Sequence, residues 1–191
     1  MRQIPVTIGG EPRLGLLVCY YCCWDGSSRF LAADKSEVHV FYSGVADPLF
    51  RFEYVRKWND PPGAHLHIHA HRDEVAYLLR FADAGRPKEQ MTRGRLPRLS
   101  EMHLPVGGHR MRPALEDALL FLKREFAIDT APGWRKVIDE SMRDWRETQL
   151  KAAVRDAPDA AVEVLRDLGY RIDAPAIPAP RSSGTAKLYL P

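Results

Sequence analysis

His65-Leu66-His67-Ile68-His69-Ala70-His71 sets four imidazoles at every second position with apolar residues between them. On a helix these side chains would scatter around the axis, whereas on a strand successive side chains point to opposite faces. The segment therefore reads as a β-strand carrying His65, His67, His69 and His71 on one face and Leu66, Ile68 and Ala70 on the other. Just upstream, Phe50-Arg51-Phe52-Glu53-Tyr54 alternates in the same way, and Asn59-Asp60-Pro61-Pro62-Gly63 is turn chemistry between the two runs. Directly opposed residues of an antiparallel pair share a face. If the aromatic residues pack with Leu66 and Ile68, Arg51 and Glu53 must accompany the histidines. A hairpin centred near Asp60 would set Glu53 opposite His67 and Arg51 opposite His69. A carboxylate beside an imidazole fixes its tautomer and raises its basicity, for proton transfer or for metal ligation, so Glu53 is the expected partner.

Working outward, Leu14 to Trp24 is apolar on both parities, as expected of a strand covered on both sides, and Asp25-Gly26-Ser27-Ser28 is a turn. Phe30 to Ala33 begins a return strand, and Glu37 to Tyr42 places Val38 and Val40 on one parity. Residues 1–72 thus read as an antiparallel meander of four or five strands. Downstream the period changes to that of helices. Asp73 to Ala84 carries Val75, Leu78, Leu79 and Ala82 at helical spacing. Residues 86–112 lack a period apart from a short strand at Met102 to Val106. Leu115, Ala118, Leu119, Leu122 and Phe126 form an apolar stripe behind Pro113, with Glu116 and Asp117 suiting the helix N-terminal dipole. Trp134 to Arg155 presents Val137, Ile138, Ser141, Trp145, Gln149 and Ala152 on one side. Pro158 to Leu168 turns Val162, Leu165 and Leu168 inward. The expectation is a single α+β domain over 1–172, sheet in 1–72 and helices in 73–172, with a Pro-rich tail at 173–191 in which Lys187 to Leu190 can dock as a strand.

Composition bounds the function. With 45% hydrophobic and 28% charged residues over 191 positions, the chain can bury a core. The net charge of +3 is too mild to imply nucleic acid by itself, and 21 of the 28 basic residues are arginine. Cys19, Cys22 and Cys23 are too few and too close for a disulfide framework, which suggests buried, inert thiols in a reducing cytoplasm. The run Leu14 to Trp24 lacks the cleavage pattern of a signal peptide. No run has the roughly 20 apolar residues that span a bilayer, so no membrane is expected.

Two chemistries fit the imidazole face. Alternate histidines supply two or three ligands to one ion, zinc or another divalent metal. His65, His67, His69 and His71 are the candidate ligands, with His103 the first choice from elsewhere and His109, Glu53, Asp73 and Glu101 also available. Alternatively His67 and His69 act as general acid and base without a metal, Glu53 orienting them and Arg51 meeting negative charge. A solvated sheet face is the bland alternative. Residues 80–112 hold eight Lys and Arg against three Asp and Glu, so the basicity is local. Within this segment Arg93, Arg95, Arg98, Arg110 and Arg112 are candidate binders of RNA or another phosphate-bearing ligand.

Together with the histidine run, the segment Leu104-Pro-Val-Gly-Gly108 followed by Arg112-Pro-Ala-Leu-Glu-Asp117 and the stretch Gln149 to Tyr170 resemble a group of uncharacterised bacterial proteins with a sheet-borne histidine cluster. Some similar small proteins are toxin-like partners of helix-turn-helix regulators. The resemblance implies a toxin component and brings no catalytic residues of its own. The function expected is a histidine-centred hydrolase, a nuclease or phosphodiesterase, with or without metal. The alternative is an interaction or regulatory module binding a protein or nucleic acid, in line with the absence of a nucleophile motif or P-loop.

Overall fold

The computed structural model describes residues 2–24, 28, 31–70 and 98–173. Six strands follow one another in both sequence and space: β1 Ile4–Ile8, β2 Glu11–Trp24, β3 Leu31–Tyr42, β4 Pro48–Val55, β5 Ala64–Ile68 and β6 Leu104–Pro105. Every pair is antiparallel. Helices α1 Gly108–Met111, α2 Leu115–Phe126, α3 Trp134–Asp156 and α4 Pro158–Asp167 follow, giving an α+β architecture. The expected meander is present. β1 was not foreseen, and the two fragments expected around residues 30–42 are one strand of 12 residues. The short strand expected near Met102 to Val106 forms the sheet edge as β6, and the helix expected over 73–84 lies outside the described residues, as does the chain from 174 onward.

Period-two alternation decides which face is covered. Leu14, Leu16, Val38 and Val40 are buried against Ala118, Leu122 and Ile128, and Phe50, Phe52, Leu115 and Phe121 pack around them. The Phe50 ring meets Phe121 edge-on at 5.6 Å, an arrangement that adds about 0.5–1.5 kcal/mol to the area it buries. The stripe read from the sequence of α2 is the one that lies on the sheet.

Two other expectations fail for one reason, that an apolar pattern needs a neighbour to bury it. β2 outruns β1, which pairs no further than Leu16, so Tyr20, Tyr21 and Trp24 at its far end are exposed rather than covered on both sides. Cys22 and Cys23 share that exposure and are not buried as expected; all three cysteines are free thiols. In α4, Leu165 and Leu168 were expected inward but are exposed, because α3 is its main neighbour among the described residues. In α3 the inward line contains Met142 and Gln149, while Val137 points to solvent. No described helix is long and apolar enough to cross a membrane.

A polar clamp closes the sheet at its other end. Gly9 and Gly10 have φ of 62° and 83°, the left-handed conformation that a tight hairpin needs. Their N–H groups donate to the Asp129 carboxylate at 3.1 and 2.8 Å, while the Asp129 N–H donates to the Thr7 carbonyl at 2.8 Å. The Gly10 N–H above all, with the Thr7 hydroxyl and the Gly9 N–H, holds the Asp129 carboxyl below its ordinary value. A depressed carboxyl stabilises the fold at neutral pH, and that contribution disappears as pH falls through the folded value. Asp129→Asn is expected to lower stability at pH 7 and to flatten the acid limb of a stability profile measured by urea denaturation. Leu122 is fully buried; Leu122→Ala is expected to cost about 2–5 kcal/mol in the same measurement.

Candidate metal centre

The face of β3, β4 and β5 turned away from α2 carries a grid of ionisable side chains. The register sets Glu37 beside Glu53 and Glu53 beside His65; one step along, His39 lies beside Arg51 and Arg51 beside His67. The face assignment made from parity is right, but the pairing is displaced by two residues from the expected one. The hairpin is centred at residue 59, not near Asp60, so Glu53 opposes His65 and Arg51 opposes His67. β6 pairs Pro105 with His65 and Leu104 with Leu66, and one further step brings His103 alongside His67.

The three imidazoles of His65, His67 and His103 form a triangle with ring centroids 4.6 to 4.9 Å apart. Their ligand atoms all lie within 4.8 Å of one another. Two rings are oriented by the backbone: His65 Nδ1 donates to the Pro62 carbonyl at 2.8 Å and His67 Nδ1 to the Ser100 carbonyl at 2.7 Å. Such a bond on the outer nitrogen fixes the tautomer and aims the Nε2 lone pair inward, as in metal-ligating histidines. Both Nε2 atoms face one oxygen, Glu53 Oε2, at 3.3 and 3.2 Å. Trp58 stacks on His65 at 5.5 Å and 14°, closing the site from outside.

Charge decides between two accounts of this cluster. If His65 and His67 each carried a second proton to reach Glu53, two imidazolium ions would sit 4.9 Å apart. Their repulsion is about 3 kcal/mol at an effective dielectric constant of about 20. A divalent cation between Glu53 Oε2 and the two Nε2 atoms meets the same geometry with neutral rings. Separations of 3.2 and 3.3 Å match the edge of a tetrahedron with bonds of about 2.0 Å. Burial, with His67 and His65 beside it, pushes His103 down to about 4, so its ring is neutral near pH 7 and has a lone pair to give. Burial alone would raise the Glu53 pKa. The close His39, His65 and His67 rings, with the Arg51 charge, outweigh it and hold the carboxyl well below the ordinary carboxylate range. Three imidazoles suit zinc or a comparable divalent ion, and Glu53 Oε2 lies beside two of them, outside the trio whose ligand atoms all approach within 4.8 Å.

Glu37, His39 and Glu53 also have ligand spacing. Their carboxylates are already answered by cations: Lys35 lies 2.6 Å from Glu37, and Arg51 lies 3.4 Å from Glu53 Oε1, the oxygen that His39 also meets at 3.2 Å. This trio therefore positions Glu53 rather than competing with the imidazole triangle.

The other expected residues fall into three groups. His69 shares the histidine face, its N–H bonded to the Leu49 carbonyl, and burial, then Arg51 and His67, lower its pKa; it is outside the triangle. Arg110 and Arg112 are not brought to it either. The Arg98 N–H donates to the Glu101 carboxylate. Arg110 donates to Asp156, and the Arg112 guanidinium lies 4.0 Å from the Tyr54 ring and 4.7 Å from that of Trp145, on the helix-covered face. His109 is buried on that face against Tyr54. His71, Asp73, Arg93 and Arg95 lie outside the described residues. His39, Glu37 and Trp58 were missed, although the alternation around Val38 and Val40 already placed residues 37 and 39 on the opposite parity. A cavity of about 880 Å³ lined by Met111, Trp145 and Gln149 lies on the helical side. It contains none of the histidines, and the convergence of donors is the better guide to the chemistry.

No family model, curated protein or solved structure matches this chain.

Gly63 couples the two faces. A Cβ there would stand 2.7 Å from His109 Cε1 and 2.9 Å from the Trp58 carbonyl oxygen, closer than such atoms approach. Gly63→Ala is expected to cost about 1–3 kcal/mol by denaturation and, by shifting Trp58, to change the fluorescence of the protein relative to a Trp58→Phe control.

Proposed function

We propose that this protein is a metal-dependent hydrolase of phosphodiesters, RNA foremost, with His65, His67, His103 and Glu53 holding a zinc-type cation. The observation that carries the reading is the pair of Nδ1–H bonds to Pro62 and Ser100, which leaves two Nε2 lone pairs converging on one carboxylate oxygen at the spacing of a coordination shell. When bound, such an ion supplies Lewis-acid polarisation and a water acidified toward neutral pH. The side chains do the rest. Glu53, ionised, neutralises part of the charge, His39 and Arg51 hold Glu53 in place, and Arg51 presents positive charge to an anionic substrate. An RNA-cleaving centre also fits the toxin-like role that the resemblance implies.

An interaction module is the second reading, favoured by the apolar residues that α4 leaves exposed, Val164 and Leu168, and by Tyr170 after it. One experiment separates the two. Elemental analysis of protein purified without a histidine tag is expected to find about one divalent ion per chain, with His67→Ala losing affinity at least tenfold and losing nuclease activity with it. A metal-free wild type whose activity His67→Ala leaves unchanged would overturn the hydrolase, and bound metal without turnover on RNA or a chromogenic phosphodiester would favour the module.

A further inference from the structure

The geometry points to an oxyanion subsite formed by Arg51 and His69 on the flank of the candidate metal centre, taking one tetrahedral phosphate-type group. The assignment rests on the reading of His65, His67, His103 and Glu53 as a cation site, and it adds the residues that would receive the substrate.

Arg51 has five N–H donors, and its side-chain bond to Glu53 uses one of them at a long 3.4 Å. Arg51 Nε is buried with no hydrogen-bond partner, and so is His69 Nε2. Leaving such a group unmet is costly, and the sheet ladder gains nothing from it. Unmet buried polar atoms are rare in folded proteins. Here two occur on neighbouring positions of the same face. Arg51 opposes His67, and His69 is the next residue along β5 on that face, its N–H continuing the ladder to Leu49. Cross-strand diagonal neighbours of this kind stand about 7–8 Å apart, a gap that a single phosphate group with its oxygens on either side can bridge.

The charge balance agrees. Lys35 and Glu37 cancel as an ion pair. Among the described residues, what remains is the Glu53 carboxylate, with the Asp47 carboxylate near His69, against the Arg51 guanidinium and a divalent ion, an excess of positive charge in a partly covered site that an anion would offset. The donors also differ in direction. The imidazole triangle lies on the β6 side of Arg51, while His69 lies toward the end of β5. A planar carboxylate offers two oxygens in one plane, whereas a tetrahedral phosphodiester can turn its two non-bridging oxygens to the ion and the guanidinium and an ester oxygen to His69. Arg51 keeps 27% of its side-chain surface exposed, so an incoming anion meets the outer guanidinium nitrogens first and the buried Nε as the side chain turns toward it.

The test is a titration of dimethyl phosphate, a diester soluble in the presence of zinc, into full-length protein, followed by NMR of the imidazole and guanidinium resonances. Zinc-loaded wild type is expected to bind it, with shifts at Arg51 and His69. Arg51→Gln should weaken binding by about tenfold or more, the loss of a charged hydrogen bond, and Arg51→Lys should recover part of it. Because Arg51 also touches Glu53, His69→Ala is the second variant: metal content as in wild type, with affinity reduced several-fold. Unchanged affinity in both Arg51→Gln and His69→Ala, with metal retained, overturns the subsite, as does a zinc-loaded wild type that binds no dimethyl phosphate. A wild type that takes up no metal removes the centre proposed above. In that case the same titration on metal-free protein still judges the subsite, which survives only if the two variants weaken binding there.

Discussion

The rest of the molecule depends on a carboxylate held ionised in a place where burial opposes it. Glu53 sits among three imidazoles and a guanidinium on β4, and its charge lets nitrogen donors from β3, β5 and the segment before β6 gather in one spot. Without that anion, the cluster would be a set of polar groups removed from water with little to compensate them. The position is a consequence of the sheet: residue 53 is in the central strand of the three that carry the grid, so its carboxylate reaches both flanking strands.

The two faces of β3 to β5 do different work. The face of Val38, Val40, Phe50 and Phe52 packs on α2 and anchors the sheet; the opposite face carries the candidate metal centre. A rigid backing matters because a coordination shell tolerates errors of only tenths of an ångström. The connection between the faces runs through the turn before β5. Pro62 orients His65, Gly63 makes room for His109 on the far side, and Trp58 lies over His65. The arginines near α1 belong to this support. Arg112, between Tyr54 and Trp145, and Arg110, on Asp156, tie α1 to the sheet and to α3.

Several departures from the sequence reading have a common origin. The alternation of Phe50 to Tyr54 and of the histidine run specifies a face, because a shift of one residue would turn every side chain over. A shift of two keeps the faces and so leaves no trace in the pattern. The turn alone selects between such registers, and a loop containing two prolines and a glycine did not reveal its centre. The exposed ends of β2 and of α4 show the same limit: Tyr20, Trp24 and Leu168 are apolar in pattern, but exposure depends on whether another element is there to cover them.

Local periodicity in the sequence determined the meander, the three long described helices, the core stripe of α2 and the common face of Glu53, Arg51, His65, His67 and His69, since each follows from the direction in which a backbone of known pitch projects its side chains. Only the tertiary structure decided which of those groups converge. His103 and the Ser100 carbonyl come from beyond residue 97 and His39 from a strand earlier, and Arg110 and Arg112 are placed on the other side of the sheet. Convergence is a property of pairing between distant segments, and no spacing along one chain encodes the distance across two.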